Sequence, residues 1–569
     1  MIEFLETAMN ETAYIAVDTE TTNADLRDGR GHALGLSMAY RVGPDIKSEY
    51  FPFRHSTGDN RTDLSDFITI VLDYQGVLIF HNSKFDLVSL GTLGIEWTKS
   101  FYDTMLMAHM IDENYQSKGL DWLTRNLLDD PGKNRSESMQ KFIDFMGWAA
   151  VTPELISEYA AYDAHLTLRL YEHFIIDFAA EGFAGDYWAM EQRFVRALID
   201  MEGRGVRIDR PLCSVEAQHG RAVMKQITAN LGLNPGSGKD LEKLLIEELG
   251  LPVVVRTPQG KPSFNKVAME QYEIMLERKD DERATRILEY RGYQKTVSSN
   301  YDSYEKLVSP DGRLRCNYKI HGTKTGRLSC ETPNLQQIPR QSDKPWNGSL
   351  KKAFIPANGY VLLDADYSQI EFRLAAAYAN ETRLIEIFNS GEDIFTAMAA
   401  ELRMKRQDVK TLVYATLYGG GNKRISDLFG VPVEEAAAIR RHFFETYPGL
   451  KATADKASNT ARSQGYVTNW AGRRRHFRDP QAEAHKAFNS VVQGGAAEIV
   501  KRQLIQCNDY FAGNKECQLL LTVHDSLVFE VLEAKQNEYA VLIKTLMEDV
   551  RPDFGVKFMV QVKQWGAVE

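Results

Sequence analysis

The chain has 569 residues, 43% of them hydrophobic and 26% charged, with a formal net charge of −10 at pH 7. At roughly 150 residues per domain this predicts three or four folding units with ordinary cores, and excludes a mainly disordered, collagenous or disulfide-scaffolded chain. The five cysteines (Cys213, Cys316, Cys330, Cys507 and Cys517) form no CxxC pair, so reduced structural thiols are expected and a cysteine-held zinc is not.

The N-terminal stretch lacks the basic start and apolar core of a secretory signal. No run approaches the ~20 apolar residues of a membrane span. A cytoplasmic protein with no membrane attachment and no visible organelle-targeting segment is therefore expected. In chain order, 14–18 (YIAVD) and 77–82 (VLIFHN) read as short buried strands ending in polar residues. Apolar spacings of three and four between 100 and 180 are helical, so residues 1–180 form one α/β unit. Amphipathic helices follow over 185–250, broken at the turn Asn234-Pro235-Gly236-Ser237-Gly238. A polar stretch from Thr257 to Ser263 and further helix lead to about 305, and mixed α and β patterns resume after 360.

Asp18 and Glu20 sit two apart at a strand end, and alternation directs both to one face. Two carboxylates so placed repel unless a cation neutralises them, which points to hard divalent ions. A second strand end, His81-Asn82-Ser83-Lys84-Phe85-Asp86, offers a third acid. A helical stretch offers Asp163, with Tyr159 one turn earlier on the same face.

Farther on, Val361 to Glu371 is an apolar strand running through Asp366 into a helix, and Leu519 to Glu530 reads as a hairpin with Asp525 at its tip. These two aspartates would make a second two-metal site if their strands are neighbours. Between them, Arg406, Lys410, Tyr414 and Tyr418 recur every four residues, a slanted stripe on one helix face. Two cations followed by two aromatic rings suit a triphosphate beside a base and sugar. From Arg440 to Arg478 there are nine basic side chains against two acids, interleaved with aromatics, the pattern of a phosphate-backbone track.

The N-terminal acids resemble the DEDD 3′–5′ exonuclease family in its tyrosine subtype, on a ribonuclease-H-like fold; the histidine subtype would have His where this chain has Glu158. The whole set resembles family A DNA polymerases, the class of the Klenow fragment. Supporting stretches are Thr325-Gly326-Arg327-Leu328-Ser329, Pro333 to Pro339, Gly465 to Thr468, Gly472 to Arg475 and Gln493 to Ala497. The resemblance implies an α/β multidomain chain: an exonuclease domain over 1–180 followed by a right-hand polymerase. Its thumb would span 181–320, its palm 321–372 and 480–569, and its fingers 373–479.

By that resemblance Asp18, Glu20 and Asp163 hold one metal, Asp86 helps with the second, and Tyr159 orients the attacking water. Asp366 and Asp525 hold the polymerase metals, two Mg²⁺ per site with Mn²⁺ as a substitute. Arg406, Lys410, Tyr414, Tyr418, Gln369 and Glu371 bind the dNTP, Lys410 doubling as general acid and Glu371 crowding the sugar 2′ position. Arg327, Asn334, Gln336, Asn489, Gln493 and His524 contact the primer–template.

Three departures stand out. Ser526 replaces a Glu after His-Asp, Phe395 stands where a His often contacts phosphate, and Tyr414 replaces the commoner Phe, as in the phage branch. The chain opens directly at the exonuclease, so no 5′ nuclease is expected. A monomer acting in DNA replication, beside helicase, primase and single-strand binding protein, is the implied setting. The alternatives are a stand-alone exonuclease on an inactive polymerase fold, a single-subunit RNA polymerase, against which Glu371 argues, and a non-enzymatic DNA-binding module.

Overall fold

The computed structural model describes residues 2–22, 26–130, 136–147, 151–339, 344–346, 350–550 and 552–566. Its first unit is built on a five-stranded sheet of β1 (Tyr14–Thr21), β2 (Ala33–Val42), β3 (Asp45–Pro52), β4 (Val77–Phe80) and β5 (Phe101–Asp103), in the order β3-β2-β1-β4-β5. The β-branched Ile15, Val17, Thr19 and Thr21 favour the pleated conformation of β1. This strand pairs antiparallel with β2 and parallel with β4. The expected strands at 14–18 and 77–82 are therefore present, the first longer and the second ending at Phe80. The β2–β3 hairpin had no counterpart in the sequence reading. Helix α1 (Ser83–Leu93) follows β4, and the long helix α2 (Pro153–Ala180) lies across β1, β2 and β3.

Helix α3 (Asp186–Arg204) opens the segment expected to form the thumb, yet it docks back on the first unit. Trp188 stacks on Tyr102 with centroids 5.5 Å apart, and its indole N–H donates to the Phe101 carbonyl at 2.7 Å. Helices α4 (Arg210–Leu231) and α5 (Arg283–Thr296) then pair, and beyond them a small separate core gathers Leu241, Leu245, Met269, Tyr272, Leu276 and Ile287. That segment buries its own apolar side chains, in a cluster separate from the main core.

The C-terminal half centres on a four-stranded antiparallel sheet. Its strands are β6 (Tyr360–Tyr367), β7 (Cys517–Val523), β8 (Ser526–Leu532) and β9 (Val560–Gln564), in the order β7-β8-β6-β9. Helix α6 (Ile370–Tyr378) follows β6, helix α7 (Arg406–Leu417) carries the stripe, and the buried helix α8 (Ala487–Tyr510) packs on both α3 and α6. Gly495 permits that approach, since a Cβ there would lie 2.6 Å from the Tyr378 hydroxyl and 2.7 Å from Leu374. All five cysteines are buried free thiols. Among the described residues, no helix is long and apolar enough to cross a membrane.

Candidate active sites

In the N-terminal unit, carboxylate oxygens of Asp18, Glu20 and Asp163 lie within 4.8 Å of one another. Strand β1 supplies the first two and α2 the third, which is 8% exposed. The strand passes close to its neighbours here: opposite Glu20 stands Gly35, where a Cβ would sit 2.4 Å from the Phe51 carbonyl oxygen. Tyr159 lies one turn before Asp163 on the same helix, as read from the spacing.

Asp86 stands apart from that trio. It is buried on α1 and accepts the hydroxyl of Thr19, the residue between the two strand acids, at 2.8 Å. Burial raises its carboxyl well above the usual range, the Thr19 hydroxyl opposes this, and the nearby Asp103 charge adds to it. Asp103, which the sequence reading missed, is a buried acid tying two helix starts. It accepts from Ser83 N and Oγ, both at 2.7 Å, and from Met105 N at 2.9 Å. A single Asp at a strand end carries no local signal beyond that of a helix cap.

In the C-terminal half, β6 and β8 pair in the register Asp366–Ser526, which sets Asp525 at the β7–β8 turn beside Asp366. Both aspartates line a cleft of about 470 Å³ together with Arg327, Gln336, Gln369, Glu371, Lys410, Tyr414, Tyr418 and His524. The turn is tight: His524 adopts a left-handed conformation, φ 56°. Ser526 is buried, and its hydroxyl donates to the Val523 carbonyl at 3.1 Å, so it closes the turn instead of facing the cleft.

Arg327 pairs with Glu371 and reaches Asp525 at 3.4 Å. Burial raises the Glu371 carboxyl; Arg327 lowers it and Asp525 raises it, with a net upward shift. The Tyr418 hydroxyl, itself pushed up by burial and by Glu371, hydrogen-bonds that carboxylate.

Phe395 fills the place left by the absent histidine with a hydrophobic wall. Its ring stacks on Phe372 (6.2 Å, 11°), lies 6.1 Å from Tyr414, and sits beneath Arg406 and Lys410 at 5.8 and 6.0 Å. Arg406 turns away from the cleft to Asp393. Asn334 instead caps a short turn, accepting from Gln336 N at 3.1 Å, while Asn489 and Gln493 share a half-exposed face of α8.

The basic strip requires a correction. Arg473, Arg474, Arg475 and Arg478 do not lie along an open track; they tie the two halves together. Arg475 donates to Glu113 at 2.7 Å, Arg474 pairs with Glu181, and Arg478 bonds the Asn114 carbonyl. Arg473 is 4% exposed, within 4.0 Å of Glu191. Buried Glu113 and Glu191, the half-buried Glu181 and the Asn114 carbonyl, all remote in sequence, claim these side chains, a pairing that no local window reveals. Lys501, also missed, is buried at the cleft wall and bonds Glu191 at 2.6 Å.

A family model described as DNA polymerase family A matches residues 214–567, and one described as a 3′-5′ exonuclease matches residues 1–175. The chain is 29% identical to DNA polymerase I of Rhizobium leguminosarum over 95% of its own length and 57% of that protein's. It is 34% identical to the thermostable DNA polymerase I of Thermus filiformis over 70% of its length and 50% of that protein's. The chain thus spans a little over half the length of the curated relatives it matches. The POL domain of Pol1 from M. smegmatis, solved in complex with DNA primer-template and dNTP, superposes with a TM-score of 0.84 at 24% identity, covering 99% of this chain and 97% of that one. With Lys410, Tyr414 and Tyr418 of the stripe meeting the paired aspartates in one cleft, and an acid cluster in the separate N-terminal unit, the chain belongs to DNA polymerase family A and carries a 3′-5′ exonuclease domain.

Proposed function

We propose that the chain is a template-directed DNA polymerase that adds dNTPs to a primer 3′ end and removes mismatched 3′ ends with its N-terminal unit. One observation carries this reading: the Asp366–Ser526 register, which brings Asp366 and Asp525 together beside Lys410 and Tyr414 in one cleft. The domain reading goes with it: exonuclease over 1–180, thumb over 181–320, palm over 321–372 and 480–569, and fingers over 373–479.

The donor sets suit divalent ions, since both consist of hard carboxylate oxygens. Asp366 and Asp525 would hold the ions of one site; Asp18, Glu20, Asp163 and Asp86 those of the other, with Mg²⁺ the expected ion. Such ions, when bound, stabilise the attacking and leaving oxygens of an in-line displacement. In extension, the primer 3′-hydroxyl gives its proton to solvent as its oxygen bonds to the α-phosphorus of the dNTP, and the bond from that phosphorus to the oxygen bridging to the β-phosphate breaks. Lys410 gives a proton to the departing pyrophosphate, and Arg406 meets its oxygens once freed from Asp393. Tyr414, Tyr418 and Gln369 hold the sugar and base, and Glu371 excludes a 2′-hydroxyl. Arg327, Gln336 and His524 on the cleft wall, with Asn334, Asn489 and Gln493 nearby, position the primer–template.

In proofreading, water oriented by Tyr159 attacks the terminal phosphorus and the bond to the penultimate nucleotide's 3′ oxygen breaks; that oxygen takes up the proton lost by the water, and a nucleoside monophosphate is released. Helicase, primase and single-strand binding protein are the partners such an enzyme would meet, and it would act as a monomer. Primer extension with and without Mg²⁺, on matched and mismatched termini, tests the reading. Magnesium-dependent extension and mismatch removal are expected. Hydrolysis without extension would favour the stand-alone exonuclease instead.

A further inference from the structure

A path of ion pairs and hydrogen bonds runs from helix α1, which carries Asp86, to strand β7, which leads to Asp525. Lys84, two residues before Asp86 on α1, is 8% exposed. Its ammonium donates to Asn317 Oδ1 and to the Tyr318 carbonyl, both at 2.6 Å, and pairs with Glu202 on α3. The same Glu202 oxygen accepts the Tyr318 backbone N–H at 2.7 Å, while the other receives Arg27. Tyr318 then reaches the second cluster. Its hydroxyl donates to the Thr522 carbonyl at 2.9 Å and accepts the Thr522 N–H at 3.2 Å. Thr522 lies on β7, three residues before Asp525, and its hydroxyl donates to the Ser526 carbonyl at 3.1 Å.

As adhesive this arrangement is a poor choice. Lysine is seldom buried, and a buried ion pair returns little more stability than well-packed apolar groups would. What it supplies is direction: Lys84 has three donors aimed at three separate acceptors, and Glu202 takes two cations from the N-terminal unit while gripping the Tyr318 backbone. Sliding one unit over the other would leave several buried charges and donors unmatched.

We propose that Lys84, Glu202, Tyr318 and Thr522 form a rigid tie that fixes the two acid clusters relative to each other, making Lys84 and Tyr318 positioning residues for passage of a primer end between them. The inference rests on the functional reading above, in which a frayed 3′ end travels from Asp366 and Asp525 to Asp18, Glu20 and Asp163 while its duplex stays held.

The test uses the full chain as wild type, Tyr318→Phe and Lys84→Met, with two substrates. A short single-stranded oligonucleotide needs only the N-terminal cluster; a mismatched primer–template duplex needs both clusters in correct relation. Since small misplacements cost large rate factors, each variant should lower the duplex-to-single-strand ratio of hydrolysis rates about tenfold while single-strand hydrolysis stays within about twofold. Whichever variant keeps single-strand hydrolysis decides the matter. An unchanged ratio in a variant that keeps single-strand hydrolysis, or both rates falling together in both variants, overturns the tie, because lost stability alone would act on both substrates alike. Wild-type protein that neither hydrolyses nor extends would instead defeat the functional reading.

Discussion

Arg406 donates from Nε and Nη2 to the two carboxylate oxygens of Asp393, at 2.9 and 2.8 Å. The first cation of the stripe is thus held by the acid that caps the preceding helix, Ile394–Leu402, and it holds Asp393 far below the usual carboxylate range. Asp393 also caps its own helix, accepting from Thr396 N at 2.8 Å and from the Thr396 hydroxyl at 2.7 Å. If Arg406 meets the triphosphate as proposed, nucleotide and Asp393 compete for one guanidinium.

Replacing Asp393 with Asn keeps an acceptor for the cap and removes the charge. An exposed ion pair is weak, so Asp393→Asn should lower the apparent KM for dNTP by about two- to fivefold. Single-turnover titration of dNTP measures it. An unchanged or raised KM would mean that Asp393 does not restrain Arg406 from the phosphates.

The two activities should separate, because the acid sets are built around different sheets. Asp18→Ala with Glu20→Ala should lower 3′-end hydrolysis about a thousandfold, whereas Asp525→Ala should do the same to extension, each leaving the other reaction nearly intact. Parallel assays of both proteins on matched and mismatched primers check this. Equal loss of both reactions in either protein would contradict the two-site reading.

Tyr414 faces the cleft with its ring 6.1 Å from Phe395 and 6.0 Å from Tyr418. A phenol there can donate near the nucleotide's 3′ end and β-phosphate and replace the missing hydroxyl of a dideoxynucleotide; Phe cannot. In an exonuclease-disabled background the chain should accept dideoxynucleotides readily. Tyr414→Phe should then discriminate against them by about ten- to a hundredfold, the value of one hydrogen bond to a charged group. Equal incorporation ratios in single-turnover assays would refute the role given to the phenol.

Glu113 is the acid anchor between the halves: it accepts from Arg475 Nη1 and from His476 N, both at 2.7 Å, at 1% side-chain exposure. Burial works against its ionisation, but the hydrogen bond from His476, its own backbone N–H and the Arg475 charge outweigh it, leaving the carboxyl below its usual value. A depressed folded value means stability that is present above the ordinary glutamate range near ~4.3 and lost as pH falls through the lowered value. Removing the charge strands Arg475, so Glu113→Gln should cost about 3–5 kcal/mol near neutrality. Calorimetric unfolding as a function of pH should show the gap from wild type shrinking only below that range. A gap that stays constant down to strongly acidic pH would assign the loss to shape and not to charge.

What the sequence determined by itself is whatever short-range periodicity encodes. Asp18 and Glu20 share a face because a strand repeats every two residues, and Lys410, Tyr414 and Tyr418 align because a helix nearly repeats every four. The hairpin around Asp525 is legible for the same reason, as an apolar run interrupted by two polar residues.

Tertiary structure decided the rest, since partners far apart in sequence are chosen by packing and leave no local trace. The β6–β8 register brought Asp366 to Asp525 across 159 residues, a pairing the sequence could pose only as a condition. The basic strip misled because Arg475 and Arg478 meet Glu113 and Asn114, more than 360 residues away. A buried carboxylate attracts a guanidinium more strongly than solvent does only once the fold has removed the water. Phe395 likewise became intelligible only when Phe372, Arg406 and Lys410 closed around it.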